Sequence, residues 1–533
     1  MKVIAAPEAA ALIEDGDTIL VGGSGNGHSV PEAIMAAIEE RFLAEGRPRH
    51  ITSIHPVGLG DRARKGASHF AHVGLLKRIV SGTYVDSPPI ADMAANDEIE
   101  AYTLPQGAIS LLIREIAGGR PGLVTHTGLN TFVDPRMGGG RQSASAREDL
   151  IEVVTLAGRE WLFYKPFRVD VALLRGTTAD EDGNITMEHE AVYGEMLSMA
   201  QAARRCGGLV IAQVKRLARR ETLAPKEVKI PGMFVDAVVV EPDQWQTFRT
   251  KHDPAYAGEL RVPLGDMPAL PWDERKIIAR RAALELYPGA ICNIGSGIST
   301  GLPAVAAEED ILDRIVLTNE QGLIGGAPST DAGAARNYSA IVDQPYQFDF
   351  YDGGGIDLAF LSAAEIDAEG NVNVSRFAGK IIGIGGFVNI SQNAKKVIFS
   401  GTFTAGGLEV AAGDGSLRIV QEGRHRKFVT SVEQISFNGK AAAAKGQDVL
   451  YVTERAVFRL AGGGPELMEI APGVDLARDI MAHMNFQPLV NPALKIMDVR
   501  LFKRDPMNLA AGLAGQPRRH PRLARLGNQA ADS

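Results

Sequence analysis

The chain has 533 residues, of which 45% are hydrophobic and 23% are charged, and its formal net charge is -8. This length is too great for a single core and predicts about two to four domains, while the negative charge gives no reason to expect a nucleic-acid partner. No run of 18 or more apolar residues is present, so we expect no membrane span. The N-terminus lacks an apolar segment of signal-peptide length, and a cytoplasmic location is expected.

The first strong pattern is an apolar strand, a glycine turn and a helix that begins with proline. The strand Thr18–Val21 leads to the turn Gly23-Ser24-Gly25, and Pro31 opens the helix. The same G-S-G-x5-P pattern returns 272 residues later, where residues 290–294 lead to Gly295-Ser296-Gly297 and Pro303. A repeated unit of this kind indicates duplication and fusion. The functional site is therefore expected between two similar halves.

A second repeat has a shorter offset. Asp170, Gly183 and Asn184 recur 187 residues later as Asp357, Gly370 and Asn371, each time around a buried strand and a turn. Because the offset falls from 272 to 187, the first half has about 85 extra residues between its two signatures. We place this insertion within residues 51–160.

These repeats predict the domain organisation. The first half covers residues 1–262, and three prolines mark a linker at 263–271. The second half covers residues 272–509, with a helix starting near Trp272. Residues 510–533 contain four arginines but no apolar period, and we expect a disordered tail there.

Glu320 is the sharpest candidate for chemistry. It follows the apolar strand at 315–317 and precedes a glycine-rich turn that contains Gly322, Gly325 and Gly326. Ligands of open α/β sheets bind beyond the carboxyl ends of the strands, where glycines allow a close approach to the backbone. The alternative is a surface glutamate that caps the strand.

Glycine turns supply further candidates, because a turn before a helix presents N–H groups to an anion or an oxyanion. Gly23, Gly25 and the turn Gly295-Ser296-Gly297 fit this description. So does the turn that contains Gly383, Gly385 and Gly386 and leads to Asn389. Gln106 stands between a proline and a glycine, which predicts an exposed and fixed turn. For all of these residues a purely structural role is the alternative.

Other chemistries lack their patterns. The glycine turns match neither G-x-G-x-x-G nor a P-loop. No H-x-x-x-H, H-E-x-x-H or C-x-x-C motif is present and no Ser/His/Asp spacing stands out, so we expect no metal site and no serine triad.

Taken together, the motifs resemble those of the class I coenzyme A transferases, particularly the fused acetate/propionate type that carries both halves in one chain. The resemblance covers about residues 1–509. It is carried by Leu104-Pro105-Gln106-Gly107, Thr131 to Arg136, Arg175 to Asp180, Glu320-Gln321-Gly322, Asp349 to Leu358 and Glu454 to Phe458.

This resemblance implies an α/β fold of two homologous open domains with mainly parallel central sheets. It implies that Glu320 is the covalent nucleophile and that Gln106 lies near the reacting carbonyl. The turn from Gly383 to Asn389 would help to hold the oxyanion and the CoA arm, and Gly295 to Gly301 would lie near bound CoA. Coenzyme A would be a substrate, with no cofactor required, and the chain would form dimers or tetramers.

The expected reaction transfers CoA between a short-chain acyl-CoA and a free carboxylate, with acetate, propionate, butyrate and acetoacetate all open. It proceeds through an acyl-glutamyl anhydride and a glutamyl-CoA thioester. An acyl-CoA thioesterase on the same scaffold is the alternative enzyme. A CoA-binding or sugar-phosphate-sensing module and a dinucleotide-binding dehydrogenase are the remaining alternatives.

Overall fold

We describe the protein from a computed structural model, in which residues 1–263, 269–329, 331 and 333–512 are described. Most of the expected linker and residues 513–533 of the expected tail lie outside these ranges. The described helices are Ala6–Ala11, Glu32–Glu45, Pro88–Ala95, Gln106–Ala117, Met196–Cys206, Glu274–Ala283, Leu302–Glu308, Gln344–Asp352, Phe387–Asn393, Gly439–Ala444 and Leu509–Gly512. The helix Leu509–Gly512 includes residues 510–512, which we expected to belong to the disordered tail. None of the described helices combines the length and the apolar character needed to cross a membrane.

The first half is built on a parallel sheet of eight strands. From edge to edge they are Lys2–Ile4, Ala237–Val240, Leu209–Val214, Val171–Arg175, Thr18–Val21, Ile51–His55, Leu76–Ser81 and Glu100–Thr103. All five residues of Val171–Arg175 are buried. Such a strand, apolar on both faces, is typical of a parallel sheet covered by helices on both sides.

The second half has a ten-stranded sheet. Its strands are Ala340–Ile341, Leu323–Ile324, Val316–Thr318, Ile291–Ile294, Leu358–Ser362, Lys396–Ser400, Asp448–Val452, Ala456–Ala461, Gly464–Ile470 and Leu489–Ile496. The five strands from Val316–Thr318 to Asp448–Val452 are parallel to their neighbours within this group. The prediction of two α/β halves with mainly parallel central sheets is confirmed.

Smaller sheets lie beside the two large ones. Two have three strands (Leu123–Thr125, Arg159–Tyr164 and Ile151–Leu156; Val372–Asn373, Glu365–Asp367 and Phe428–Val429), and one has four (Arg216–Ala218, Thr178–Asp180, Ile185–Thr186 and Val228–Ile230). Two-stranded pairs are Ala327–Pro328 with Ala335–Arg336, Arg376–Phe377 with Lys380–Ile381, Thr404–Ala405 with His425–Arg426, and Glu409–Gly413 with Ser416–Gln421.

The sequence repeat has an atomic counterpart. Asp180 accepts hydrogen bonds at 2.9 Å from both the backbone N–H and the side-chain amide of Asn184. Asp367, 187 positions later, accepts the same two bonds from Asn371 at 3.0 and 2.9 Å. The two turns therefore have one hydrogen-bond pattern, and the 187-residue offset marks equivalent structural positions.

The two halves differ in the chain between the strand that precedes the G-S-G turn and the strand of the second repeat. In the first half, Leu76–Ser81 and Glu100–Thr103 extend the sheet, and a three-stranded sheet follows within residues 123–164. In the second half, the antiparallel strand Leu323–Ile324 takes the place beside Val316–Thr318. The hairpin that contains Glu320 connects these two strands, and this hairpin carries the candidate chemistry.

Candidate active site

Glu320 lies just beyond the carboxyl end of the strand Val316–Thr318. Its side chain is half-buried, and no described residue donates a hydrogen bond to its carboxylate. Burial disfavours the charged form and raises the pKa of Glu320 to about 7. A carboxylate that is only partly solvated and accepts no hydrogen bond remains available as a nucleophile.

The segment from Ile382 to Gly386 brings the second half's backbone against this carboxylate. A methyl group added to Gly386 would lie 2.7 Å from Glu320 Oε2. Glycine at this position therefore leaves room for the carboxylate in its present place. The same segment docks on the first half, because the N–H groups of Ile384 and Gly385 both donate to the Gly82 carbonyl at 2.7 Å. At Gly383, φ is +90° and an added Cβ would lie 2.4 Å from Thr83 Cα, so glycine is required there as well.

Gln106 reaches the same place from the first half, but the prediction that it lies on an exposed turn is wrong. It is fully buried, and it is the first residue of the helix Gln106–Ala117. Its backbone N–H donates to the Gly385 carbonyl at 2.9 Å, and the second half therefore covers it. A methyl group on Gly385 would lie 3.5 Å from Gln106 Oε1 and 3.9 Å from Glu320 Oε1. The two side chains that the sequence singled out thus meet around one glycine.

Asn389 contributes by holding these parts together. Its side-chain oxygen accepts from the Gly107 backbone N–H at 3.1 Å, and its amide nitrogen donates to both oxygens of Asp352 at 2.9 and 3.1 Å. Burial raises the pKa of Asp352 to about 7. Because both ends of the Asn389 amide are hydrogen-bonded, this side chain positions the start of the Gln106 helix.

The two G-S-G turns have different surroundings. Ser296 and Gly297 are exposed, and they follow the strand Ile291–Ile294, which pairs with the strand leading to Glu320. The Ser296 carbonyl accepts from Ser362 Oγ at 2.6 Å, which fixes the turn from behind. Gly295, Ser296 and Gly297 therefore lie at the same sheet edge as Glu320. The Gly295 N–H donates to the Phe360 carbonyl at 2.8 Å, whereas Ser296 and Gly297 are open to a ligand.

The first turn suits an anion less well. A methyl group on Gly25 would lie 2.9 Å from Asp86 Oδ2, and that acid lies only 3.6 Å from the Arg62 guanidinium. Burial raises the pKa of Asp86 to about 6. Gly23 packs against Val30, where an added Cβ would lie 2.6 Å from Cγ2. Both glycines meet close neighbours that explain them structurally.

One group of ligand-type side chains lies away from this site. His189, His252 and Glu259 place one ligand atom each within 4.8 Å of one another, the only such group among the described residues. The pKa of His189 is lowered by burial and by the positive charges of Arg216 and Lys215. Positive neighbours also oppose a bound cation. The expectation that the protein uses no metal and no cofactor stays a prediction.

Comparison with known proteins identifies the family of the chain that carries this site. A family model for coenzyme A transferase matches residues 3–241. The chain is 44% identical to acetate CoA-transferase YdiF of Escherichia coli O157:H7, an alignment that covers 94% of this chain and 95% of that protein. The chain belongs to the coenzyme A transferase family. This transferase is also 45% identical to caffeate CoA-transferase of Acetobacterium woodii, over 94% of this chain and 97% of that protein.

A solved structure gives the same result. The transferase matches the crystal structure of the acyl-CoA transferase YdiF from E. coli O157:H7, in a thioester complex with CoA, with a TM-score of 0.91. The identity is 43%, and the match covers 95% of this chain and 97% of that one. The resemblance drawn from the motifs is confirmed, and the protein is a CoA-transferase.

Not every family motif of the transferase lies at the site. The motif Glu454 to Phe458 contains Arg455, which is fully buried and forms ion pairs with Glu454 at 2.6 Å and with Glu422 at 2.7 Å. No contact joins this described cluster to Glu320. The cluster lies within the second half, where the carboxylates compensate the charge of the buried guanidinium.

The sequence analysis missed two side chains beside Gln106. Gln344 begins the helix Gln344–Asp352 and accepts from Gln106 Nε2 at 3.1 Å. Glu195 precedes the helix Met196–Cys206 and accepts from Gln344 Nε2 at 2.6 Å. No pattern marks either residue in the chain, since their relation arises only when the halves pack.

Proposed function

We propose that this CoA-transferase moves CoA between a short-chain acyl-CoA and a free carboxylate, with Glu320 as the covalent nucleophile. The observation that carries the proposal is the half-buried and unpaired Glu320 carboxylate, against Gly386 from its own half and near Gln106 from the other. Burial keeps its pKa near neutrality, so the carboxylate is accessible at physiological pH yet poorly solvated.

The first half-reaction has two displacements. The Glu320 carboxylate attacks the acyl carbonyl carbon, a C–O bond forms, and the C–S bond breaks to release CoA thiolate. The thiolate then attacks the glutamyl carbonyl of the anhydride, and the acyl group leaves as its free carboxylate. The enzyme holds a glutamyl-CoA thioester, and an acceptor carboxylate reverses both displacements. Bond energy is conserved because each step exchanges one activated acyl bond for another.

Each displacement passes through a tetrahedral oxyanion that needs hydrogen-bond donors. The segment Gly385–Gly386 and the Gln106 side chain surround the position where this oxyanion would form. The exposed turn Gly295-Ser296-Gly297 is proposed to contact CoA, and the Gly383 turn to support its arm. The related YdiF structure, described as a thioester complex with CoA, supports a covalent intermediate of this type.

Substrate range is part of the proposal. The names of the similar proteins include both acetate and caffeate as acids, so sequence similarity alone does not select one. We propose the short-chain class of acetate, propionate, butyrate and acetoacetate. We also propose a cytoplasmic homo-oligomer, a dimer or tetramer, that requires no cofactor.

Intact-mass analysis with acetyl-CoA alone tests the mechanism. A CoA-sized adduct that maps to the Glu320 peptide and is discharged by acetate or propionate is the expected result. The matched variant Glu320→Gln should form no adduct. Steady release of CoA into buffer without an acceptor would support a thioesterase and refute the transfer mechanism. If caffeoyl-CoA forms the adduct while acetyl-CoA, propionyl-CoA and butyryl-CoA do not, the substrate class is refuted while the mechanism stands.

A further inference from the structure

Behind Gln106 lies a line of buried polar side chains that the reaction scheme does not use. Gln106 Nε2 donates to Gln344 Oε1 at 3.1 Å, and Gln344 Nε2 donates to Glu195 Oε2 at 2.6 Å. Ser110 Oγ donates to the same Glu195 oxygen at 3.1 Å. Glu195, Gln344 and Gln106 are each no more than 1% exposed. We call Glu195, Gln344 and Gln106 the amide relay.

The direction of the hydrogen bonds in the amide relay determines whether the oxygen or the nitrogen of the Gln106 amide faces Glu320. An ionised carboxylate only accepts hydrogen bonds. It therefore draws the Gln344 amide nitrogen toward itself, and the Gln344 oxygen then draws the Gln106 nitrogen. The Gln106 oxygen is left facing the site, and this atom is buried without a hydrogen-bond donor among the described residues. In this direction the amide relay presents an acceptor, whereas an oxyanion needs a donor.

Protonation of Glu195 reverses the direction of both hydrogen bonds in the amide relay. Protonated Glu195 donates to the Gln344 oxygen, the Gln344 nitrogen donates to the Gln106 oxygen, and the Gln106 nitrogen turns toward Glu320. Each amide rotates by about half a turn, which exchanges its oxygen and nitrogen with little movement of other atoms. The reversed line also satisfies the Gln106 oxygen, which otherwise has no partner.

We propose that Glu195 is a positioning residue for CoA transfer, which in its protonated form turns the Gln106 amide nitrogen toward the reacting carbonyl through Gln344. The proposal rests on the proposed function, because it assigns Gln106 as the donor to the oxyanion beside Glu320. In the reversed direction the same nitrogen also faces the Glu320 carboxylate and stabilises its charged form.

The surroundings of Glu195 favour the protonated form near neutral pH. Burial raises the pKa of Glu195 to about 8, and the nearby Asp343 adds to this, while Ser110 opposes it. The charged neighbour of Asp343 is Lys229, which lowers the pKa of that acid against the effect of its burial. Tyr193, also near Asp343, has a raised pKa and is neutral in this range. The wild-type rate is therefore expected to fall as pH rises through about 8, where Glu195 loses its proton.

Two substitutions of Glu195 separate this role from simple packing. Glu195→Gln keeps a donor to Gln344 at every pH, so kcat should stay close to wild type and the decline above pH 8 should disappear. Glu195→Met fills similar volume without a donor or an acceptor, and kcat should fall by about 100-fold with KM for acyl-CoA unchanged. Wild-type kcat in Glu195→Met, or an equal loss in Glu195→Gln, would overturn the proposal.

A double-substitution cycle and a control locate the effect. Gln106→Leu removes the donor, so adding Glu195→Met should cause no further loss, whereas an additive loss would show that Glu195 acts elsewhere. Ser110→Ala removes a hydrogen bond from the same Glu195 oxygen but leaves the amide relay intact. This variant should keep near-wild-type kcat, and a loss as large as that of Glu195→Met would indicate general disruption and refute the relay.

The rate of CoA-adduct formation on wild-type protein distinguishes the two proposals. If no adduct forms on Glu320 in the wild type with any of the short-chain acyl-CoA donors or with caffeoyl-CoA, the covalent mechanism itself fails. If it forms at equal rates in the wild type and Glu195→Met, only the amide relay is refuted.

Discussion

The burial of Glu320 predicts a stability effect that can be measured without any substrate. Burial raises the pKa of this carboxyl from its usual 4.5 to about 7. At about 1.4 kcal/mol for each pKa unit, the folded protein is destabilised by about 3 kcal/mol once Glu320 is ionised in both states. The variant Glu320→Gln has nearly the same shape but no charge to bury, and it should be free of this penalty.

The sign of the effect follows from proton binding. The folded state holds the Glu320 proton more tightly than the unfolded state, so wild-type stability decreases as pH rises from 4.5 through 7. About 2 kcal/mol of this loss falls between pH 5.5 and pH 8.5. The stability of Glu320→Gln relative to wild type should increase by that amount over the range. For a 533-residue chain that unfolds as one unit, this corresponds to about 2 °C in the difference of Tm.

Thermal unfolding of the two proteins across this pH range is the assay. Steric effects of the substitution do not vary with pH and cancel in the comparison of differences. Glu409→Gln is the matched control, because Glu409 is exposed on a strand of a two-stranded sheet, and its difference from wild type should stay constant. If the Tm values of Glu320→Gln and the wild type change in parallel from pH 5.5 to 8.5, Glu320 does not bury a charge and the reasoning is wrong.

Three further outcomes follow from the same geometry. The value of kcat/KM for acyl-CoA should rise with pH through about 7 as Glu320 ionises, and a flat profile from pH 5.5 to 8 would contradict its role as nucleophile. Gly386→Ala places a methyl group 2.7 Å from Glu320 Oε2 and should lower kcat by about 100-fold, whereas Gly413→Ala, with open space around its Cβ, should be silent. Arg455→Met leaves the buried Glu454 without its ion-pair partner and should lower the unfolding free energy by about 3–5 kcal/mol in denaturant titration. Arg478→Met, on an arginine whose side chain is 74% exposed, should change that free energy by less than about 1 kcal/mol.

Much of the fold could be predicted because the same sequence pattern occurs in both halves and forms the same local structure in each. The 187-residue offset appears in the sequence and again as matching hydrogen bonds of Asp180 and Asp367. Glu320 could be chosen for a similar local reason. It follows a short apolar strand, and the carboxyl end of such a strand is where a parallel sheet exposes its ligands.

The surroundings of Gln106 could not be predicted in this way. Its proline and glycine neighbours indicate a turn, but its burial depends on Gly385, 279 positions later in the chain. Glu195 and Gln344 are 149 positions apart, and neither stands in a recognisable motif. Local sequence encodes where a chain turns, whereas the exposure of a side chain between two halves depends on how those halves pack.

The contacts of Gly82 with Ile384 and Gly385 also bear on how the enzyme behaves at low concentration. Gln106 and Glu320 come from different halves, yet both halves belong to one polypeptide. The encounter that completes the pair is therefore intramolecular, and tethered partners of this kind meet at a high effective concentration that dilution does not change. A transferase with the same two halves on separate chains would lose this pairing at high dilution, while the fused chain keeps Gln106 and Glu320 together in every molecule.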